Sequence, residues 1–107
     1  MPSPGDVVVV VFPGTVATKS RPAVVVSSAL YHATRPDCVL AIVTSNLTSA
    51  DTAFDHVLVD WAVAGLHRPS VVRSYFAMAE SAGLRVVGAL SERDWTAIRT
   101  QVAGVFS

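Results

Sequence analysis

Two segments far apart in the sequence carry side chains suited to phosphate chemistry. Arg21 stands before Pro22 at the start of one apolar run, and Thr44 and Ser45 end another. A guanidinium keeps its charge, and its rigid fork of N–H donors fits the oxygens of a phosphate group. Short hydroxyl side chains beside it can donate further hydrogen bonds to those oxygens. If folding brings these segments together, they predict a phosphoryl-transfer site.

The composition indicates one small domain with abundant apolar surface. The chain has 107 residues, of which 51% are hydrophobic and 15% charged, and its formal net charge is zero. This length supports one hydrophobic core, so we expect a single domain over residues 1–107. The apolar excess predicts self-association. Because no basic block is present, tight and sequence-blind binding of nucleic acid is not expected.

The sequence also bears on the cellular compartment. Cys38 is the single cysteine and lies in an apolar run, which predicts a buried thiol. The apolar stretches are too short to span a bilayer, and the amino-terminal residues lack the positive head of a secretory signal. We therefore expect a cytoplasmic protein that has no membrane partner.

The apolar patterns predict six or so short strands and a terminal helix. The expected strands cover residues 7–12, 22–27, 38–44, 56–60, 70–73 and 84–90. Pro22 suits the first residue of its strand, and the alternation over 56–60 would turn Val57 and Val59 inward. Residues 28–36 are predicted to form a loop with a short helical segment. Residues 75–83 are ambiguous, because their Ala, Met and Glu residues favour helix.

The carboxy-terminal segment has the pattern of an amphipathic helix. Ser91 followed by Asp94 resembles a capping box with a shorter acid. The apolar residues that then recur at helical spacing are Trp95, Ile98, Val102 and Phe106. Together the elements predict an antiparallel or mixed, curled sheet with one terminal helix, because strands and helices do not alternate regularly.

Three histidines could supply acid and base chemistry near neutral pH, because imidazole titrates there. They are His32, His56 and His67, in three different segments. No carboxylate stands at a fixed spacing to orient any of them, and metal-ligand spacing is absent. Exposed or loop positions are the more ordinary expectation, and we predict neither a metal nor another cofactor.

Five segments of the chain, in order, resemble the MazF/PemK family of toxin endoribonucleases from bacterial type II toxin-antitoxin systems. They are GDVVVV at 5–10, SRPAVVVS at 20–27, VTSN at 43–46, GLHRPSVV at 65–72 and VGALS at 87–91. Each segment alone is commonplace, but five in register over nearly the whole chain form a fairly specific signal. The resemblance implies a mainly β fold with α, namely a small SH3-like barrel of twisted, mostly antiparallel strands with a carboxy-terminal helix.

The resemblance also implies an activity. Members of this family are metal-independent endoribonucleases, or mRNA interferases, that cleave single-stranded RNA at short sequences. The ribose 2′-hydroxyl attacks the adjacent phosphate and leaves 2′,3′-cyclic phosphate and 5′-hydroxyl ends. The implied partners are single-stranded RNA, a cognate antitoxin protein and a second copy of the chain, since the RNA groove lies at a homodimer interface.

Carried over position by position, the catalytic arginine of the family falls on Arg21 and its catalytic threonine on Thr44. Arg21 would stabilise charge on the phosphorane and help to protonate the leaving oxygen, while Thr44 would donate to a non-bridging oxygen. The candidate RNA contacts are Lys19, Ser45, Asn46, His67 and Arg68.

One departure from the family keeps alternatives open. Many members carry Ile-Arg-Thr after the fifth strand, whereas this chain has YFAMAE at 75–80 and lacks that arginine. A non-catalytic dimeric binding module, a degenerate toxin that binds an antitoxin or peptide, is therefore an alternative. A gyrase-poisoning toxin is a second one. Such proteins resemble one another at a carboxy-terminal Trp-Gly-Ile, and the ending VFS of this chain argues against it.

Overall fold

The computed structural model describes residues 2–12, 19–49 and 53–106. Within these ranges the chain forms six strands and two α-helices. The strands are β1 (Asp6–Phe12), β2 (Lys19–Val25), β3 (Asp37–Thr44), β4 (Asp55–Val57), β5 (Val71–Glu80) and β6 (Arg85–Ala89). The helices are α1 (Ala29–Thr34) and α2 (Glu92–Phe106), and 3₁₀ turns occupy Leu47–Ser49 and Ser81–Gly83.

The six strands form one sheet in the order β4-β5-β3-β2-β1-β6. Every neighbouring pair is antiparallel. This arrangement, with the terminal helix α2, confirms the predicted class of a mostly antiparallel sheet followed by a helix. Closure of the sheet into a barrel stays a prediction, because β4 and β6 at its two edges are not paired with each other in the described residues.

The valine runs of β1 and β2 are buried on both faces of the sheet. Val7 and Val24 belong to a cluster that includes Ile98 of α2. Their neighbours Val8 and Ala23 belong to a second cluster on the opposite face. Because successive side chains point to opposite faces of a strand, a strand that is buried on both faces is apolar at every position in its sequence.

The strand β2 begins earlier than predicted. Pro22 was expected to be its first residue, but it lies inside the strand opposite Val9 of β1. The ladder between β2 and β3 ends at Ala23, which pairs with Ile42. Pro22 therefore has a partner strand on one side only, and its missing N–H group interrupts no ladder on the other.

The orientation predicted for Val57 and Val59 was wrong. Their side chains are 48% and 55% exposed, whereas Leu58 between them is buried. The alternating pattern identified two faces but not which of them packs inward. Leu58 joins the cluster around Ile98, and β4 ends at Val57 as a short edge strand.

The ambiguous segment at 75–83 is mostly strand. β5 continues to Glu80, and its second half pairs with β3, from Asp37 opposite Glu80 to Ala41 opposite Phe76. Pairing with a central strand outweighs the helix propensity of Ala, Met and Glu, which amounts to a few tenths of a kcal/mol per residue.

The helix α2 packs on the sheet through the face that its sequence predicts. Ile98 is fully buried, and Trp95 and Val102 pack against the same cluster. Phe106, the fourth predicted residue, is 73% exposed, although its ring centroid lies 5.5 Å from that of Phe76. None of the helices in the described part of the chain is long and apolar enough to cross a membrane.

Candidate active site

The two segments with phosphate-binding side chains meet at one pocket of about 370 Å³. The pocket lies where the start of β2, the end of β3 and the segment before β5 come together. Its lining consists of Ser20, Arg21, Pro22, Val43, Thr44, Ser45, Leu66, His67, Arg68 and Ser70. Five of the seven residues proposed from the sequence for catalysis or RNA contact are thus brought together.

The pairing of β2 with β3 explains why Arg21 and Thr44 meet. The ladder pairs Val25 with Leu40 and Ala23 with Ile42. Continued for two residues at the same register, it leads to Arg21 and Thr44. Directly opposite residues of an antiparallel pair have Cβ atoms about 4.5–5.5 Å apart within a ladder. The pocket therefore lies just beyond the end of the ladder between β2 and β3.

The third wall of the pocket is fixed by the start of β5. Val71 pairs with Thr44, so the preceding residue, Ser70, lies beside the end of β3. The Ser70 hydroxyl donates to the carbonyl oxygen of Arg68 at 2.9 Å, and the Ser70 carbonyl accepts from the amide of Leu58 at 2.9 Å. These bonds hold the turn that presents Arg68 and His67 to the pocket.

The chain reaches that turn through Gly65. This residue has a φ of +86°, and a Cβ atom there would collide with the carbonyl oxygen of Val87 in β6. Gly88 is as restricted, because a Cβ there would collide with the carbonyl of Ala64. The two glycines let the loop and β6 pack backbone against backbone, which sets the position of Leu66 at the pocket.

A buried carboxylate anchors the beginning of the same loop. Asp94 of α2 is fully buried. Its Oδ1 accepts from His56 Nε2 at 2.8 Å and from the Val59 amide at 3.0 Å, and its Oδ2 accepts from the Asp60 amide at 2.8 Å. Burial raises the pKa of this carboxyl group, but the hydrogen bonds from His56 and the two amides outweigh it, and the pKa lies below its usual value.

This network corrects two expectations. His56 is held by a carboxylate after all, one that sequence spacing could not reveal because the two residues are 38 positions apart. Asp94 was expected to complete a capping box, and Ser91 Oγ does accept from the Asp94 amide, at 3.4 Å. The Asp94 carboxylate instead caps the amides of the loop.

Beside Asp94, hydrogen bonds from Arg93 and Ser91 hold the pKa of Asp60 well below its usual range.

The pocket is locally positive in a chain of zero net charge. Arg21 and Arg68 line it, and neither forms an ion pair with any described residue. No aspartate or glutamate occurs among the described lining residues. The described part of the chain also holds no group of three His, Cys, Asp or Glu side chains placed to bind a metal ion. The pocket therefore suits an anion.

The hydroxyl of Thr44 is oriented by the turn that follows it. Thr44 Oγ1 accepts from the amide of Asn46 at 3.2 Å. This bond occupies an acceptor site of the hydroxyl and leaves its own proton for a ligand. Asn46 Oδ1 accepts from the amide and the hydroxyl of Thr48, at 3.2 and 2.7 Å. Asn46 thus shapes the turn and is not among the lining residues.

The structure does not bring every predicted contact to the pocket. The side chain of Lys19 lies outside the described part of the chain. Asn46 stands behind Thr44, and its contact with RNA stays a prediction. Sequence reasoning had not singled out Ser20 and Ser70, which also line the pocket. Ser20 adjoins Arg21, and Ser70 lies two residues after Arg68. This closeness in sequence to proposed site residues is the signal that could have found them.

Comparison with known proteins identifies the family. A family model of PemK-like, MazF-like toxins of type II toxin-antitoxin systems matches residues 3–106. The chain belongs to this family. No curated protein matches the toxin by sequence comparison.

Solved structures share the fold of the toxin. A structure of MazE-MazF from Deinococcus radiodurans has a TM-score of 0.75 at 18% identity, covering 97% of this chain and 94% of that one. An endoribonuclease in complex with its cognate antitoxin, from a mycobacterial species, has a TM-score of 0.76 at 15% identity, covering 97% and 93%. Mycobacterium tuberculosis toxin MazF-mt6 has a TM-score of 0.65 at 20% identity, covering 92% of this chain and 94% of that one.

Proposed function

We propose that the toxin is a metal-independent endoribonuclease that cleaves single-stranded RNA at short sequences. The observation that carries this proposal is the pocket shared by Arg21, Thr44 and Arg68. It combines a hydroxyl donor with two arginines that form no ion pair with a described residue, and no carboxylate is among the described lining residues. Such a site favours a phosphodiester over a neutral or cationic ligand.

In the proposed reaction the ribose 2′-hydroxyl attacks the adjacent phosphorus. The pentacoordinate transition state gathers negative charge on its non-bridging oxygens. Arg21 would bind these oxygens through its guanidinium fork, and Thr44 would donate its hydroxyl proton to one of them. Both residues belong to neighbouring strands of the sheet, so little reorganisation would be needed when charge develops. The products would be a 2′,3′-cyclic phosphate and a 5′-hydroxyl, and DNA would be spared because it lacks the nucleophile.

The remaining polar lining would hold the RNA backbone. Ser45 and Arg68 line the same pocket as Arg21 and Thr44 and would bind phosphates next to the reacting one, and His67 would contact the RNA there. Lys19 and Asn46 adjoin the pocket in sequence and are proposed as further RNA contacts. Because base selection would depend on these short segments, the enzyme would cut at few sequences.

The proposed partners are a cognate antitoxin and a second copy of the toxin. Among the structures that share the fold is an endoribonuclease with its cognate antitoxin, which supports the first partner. The second is supported by the apolar fraction of 51% and by large exposed apolar side chains on β5 and α2, among them Tyr75, Met78 and Phe106. A molar mass of one chain in light scattering would contradict the dimer.

The test of the nuclease proposal is a cleavage assay without divalent metal. Purified toxin is incubated with a long unstructured RNA in excess chelator, and new ends are sequenced and probed for a 5′-hydroxyl by direct kinase labelling. We expect cuts at a recurring short motif. Uncut RNA from a protein that still binds antitoxin would support the degenerate binding module instead.

Two variants make the assay specific to the proposed site. Arg21→Ala should lose cleavage by about 10²–10³-fold, the usual cost of one charge-stabilising donor. Arg21→Lys keeps the charge but not the planar fork, so most of the loss should remain. Arg85→Ala removes an exposed arginine of β6 that does not line the pocket, and it should cleave as the wild type does.

A further inference from the structure

The proposed reaction needs proton transfers that Arg21 and Thr44 are poorly suited to perform. The 2′-hydroxyl must lose a proton, and the departing 5′ oxygen must gain one. A guanidinium stays protonated in proteins, so Arg21 gives up its proton reluctantly. The hydroxyl of Thr44 is neither a good acid nor a good base near neutral pH. Arg21 and Thr44 therefore account for charge stabilisation, and the proton transfers require another group.

One residue of the pocket fits that requirement. Among the described lining residues, His67 is the single imidazole, the side-chain type used most often for general acid and base catalysis. The others are arginines, hydroxyl residues and apolar residues. Segment 13–18 contains no titratable side chain in its sequence, PGTVAT. His67 is exposed and therefore accessible to a bound ligand.

We propose that His67 is the general acid of the toxin, donating a proton to the 5′ oxygen as it leaves. This inference rests on the proposed nuclease function. The family resemblance implied that Arg21 helps to protonate the leaving oxygen. The present proposal gives that proton transfer to His67, in the loop before β5. The two arginines would then serve charge stabilisation alone.

The charges that face His67 are known for the described part of the pocket. Arg68 adjoins it in the same loop, and Arg21 faces it from β2. Thr44 and Ser45 of the β3 end are uncharged. The Lys19 side chain is not described, and it would add a further positive charge if it faced the pocket. A bound phosphodiester would offset this positive charge.

The proposed step balances without a further reactant. The 2′-oxygen forms a bond to phosphorus, and the phosphorus bond to the 5′ oxygen breaks. The proton of the 2′-hydroxyl passes to water. The His67 imidazolium gives its proton to the 5′ oxygen, which leaves as an alcohol, and the imidazole then regains a proton from solvent. No redox change occurs.

The first test is the pH dependence of cleavage under single-turnover conditions. Removing a general acid typically costs about 10²–10⁴-fold in rate. The wild-type rate should fall as pH rises through the imidazole range, and His67→Gln should be slower by that factor and lose this fall. His32→Gln is the matched control, since His32 lies away from the pocket, next to Ser27, and it should keep the wild-type profile. Thermal unfolding checks each fold, and His67→Asn replaces His67→Gln if the latter is unstable.

The second test separates an acid from a residue that merely binds RNA. In an RNA with a 5′-bridging sulfur at the scissile position, the leaving thiolate needs no proton. Cleavage of this substrate by His67→Gln should approach the wild-type rate. An equally large defect on the sulfur and oxygen substrates would overturn the general-acid role, as would an unchanged pH profile in His67→Gln.

The two proposals fail in different ways. If the wild type leaves both substrates uncut, the nuclease function fails and the His67 role with it. If the wild type and His67→Gln cut the oxygen substrate equally while Arg21→Ala does not, the nuclease function stands and the His67 role is refuted.

Discussion

Arg21 of β2 and Thr44 of β3 lie two residues beyond the last paired residues of their ladder, Ala23 and Ile42, and both line one pocket. Their meeting follows from the antiparallel register of two buried strands. Any shift of that register would separate them, so the packing of the valine-rich strands and the geometry of the pocket are coupled.

Two substitutions of Thr44 distinguish the contribution of its hydroxyl to cleavage from that of its side-chain volume. In Thr44→Val the side chain keeps its volume and β-branching but loses the donor, and we expect cleavage to fall by about 10²–10³-fold. Thr44→Ser keeps the hydroxyl and should retain most of the activity. Single-turnover cleavage of a defined RNA measures both. Equal rates for Thr44→Val and the wild type would show that the hydroxyl takes no part in the transition state.

The two segments could be singled out from the sequence because their signals are local. An arginine at the mouth of one apolar run and a hydroxyl at the end of another can be read directly from residues 20–27 and 43–46. The doubly buried character of β1 and β2 was evident in the same way, since their valine runs lack polar positions. Local patterns of this kind survive folding because the strands that carry them are central.

Other features depend on contacts between distant residues and could not be predicted. Alternation at 56–60 did not tell which face is buried, and only the packing of Leu58 near Ile98 decides it. The bond between His56 and Asp94 joins positions with no sequence relationship. The extension of β5 to Glu80 depends on its pairing with β3, against its own helix propensity.

Acid should weaken the fold through Asp94. The pKa of this carboxyl group in the folded chain lies below its usual value of 3.8. The associated stability is therefore present above that value and is lost as pH falls through and below it. The free energy of unfolding of the wild type, measured by urea titration, should decrease below about pH 4, because protonation of Asp94 breaks its bonds to His56 and the loop amides.

Asp94→Asn tests that assignment at neutral pH. An amide nitrogen in place of one oxygen leaves a buried donor of the loop unpaired, which typically costs about 1–3 kcal/mol. The variant should also show a shallower loss of stability in acid than the wild type. Glu80→Gln, at an exposed position of β5, is the matched control and should change neither quantity. If the free energy of unfolding fell equally steeply with decreasing pH in the wild type and in Asp94→Asn, protonation of Asp94 would not be the cause of the acid sensitivity.

Gly65 should be intolerant of any side chain. Its φ of +86° is costly for other residues, by about 1–2 kcal/mol, and a Cβ atom would also strike the Val87 carbonyl. Gly65→Ala should therefore be destabilised by at least that amount in urea unfolding. RNA cleavage should decline as well, since the loop carries His67 and Arg68. Gly83→Ala is the control, because a Cβ there meets no atom within 4 Å, and it should be nearly neutral.

Arg68 should contribute to RNA affinity through charge alone. It lines the pocket without an ion-pair partner among the described residues, so a bound phosphate would be its counterion. With a non-cleavable RNA that has a 2′-deoxy sugar at the scissile position, Arg68→Ala should bind more weakly. The slope of log affinity against log salt should become shallower by about 0.7, the value for one phosphate contact to a single strand. Arg85→Ala should keep the wild-type slope, because its side chain lies outside the pocket. Were both variants to lose slope equally, the charge would act at long range across the surface and no particular contact at the pocket would be responsible.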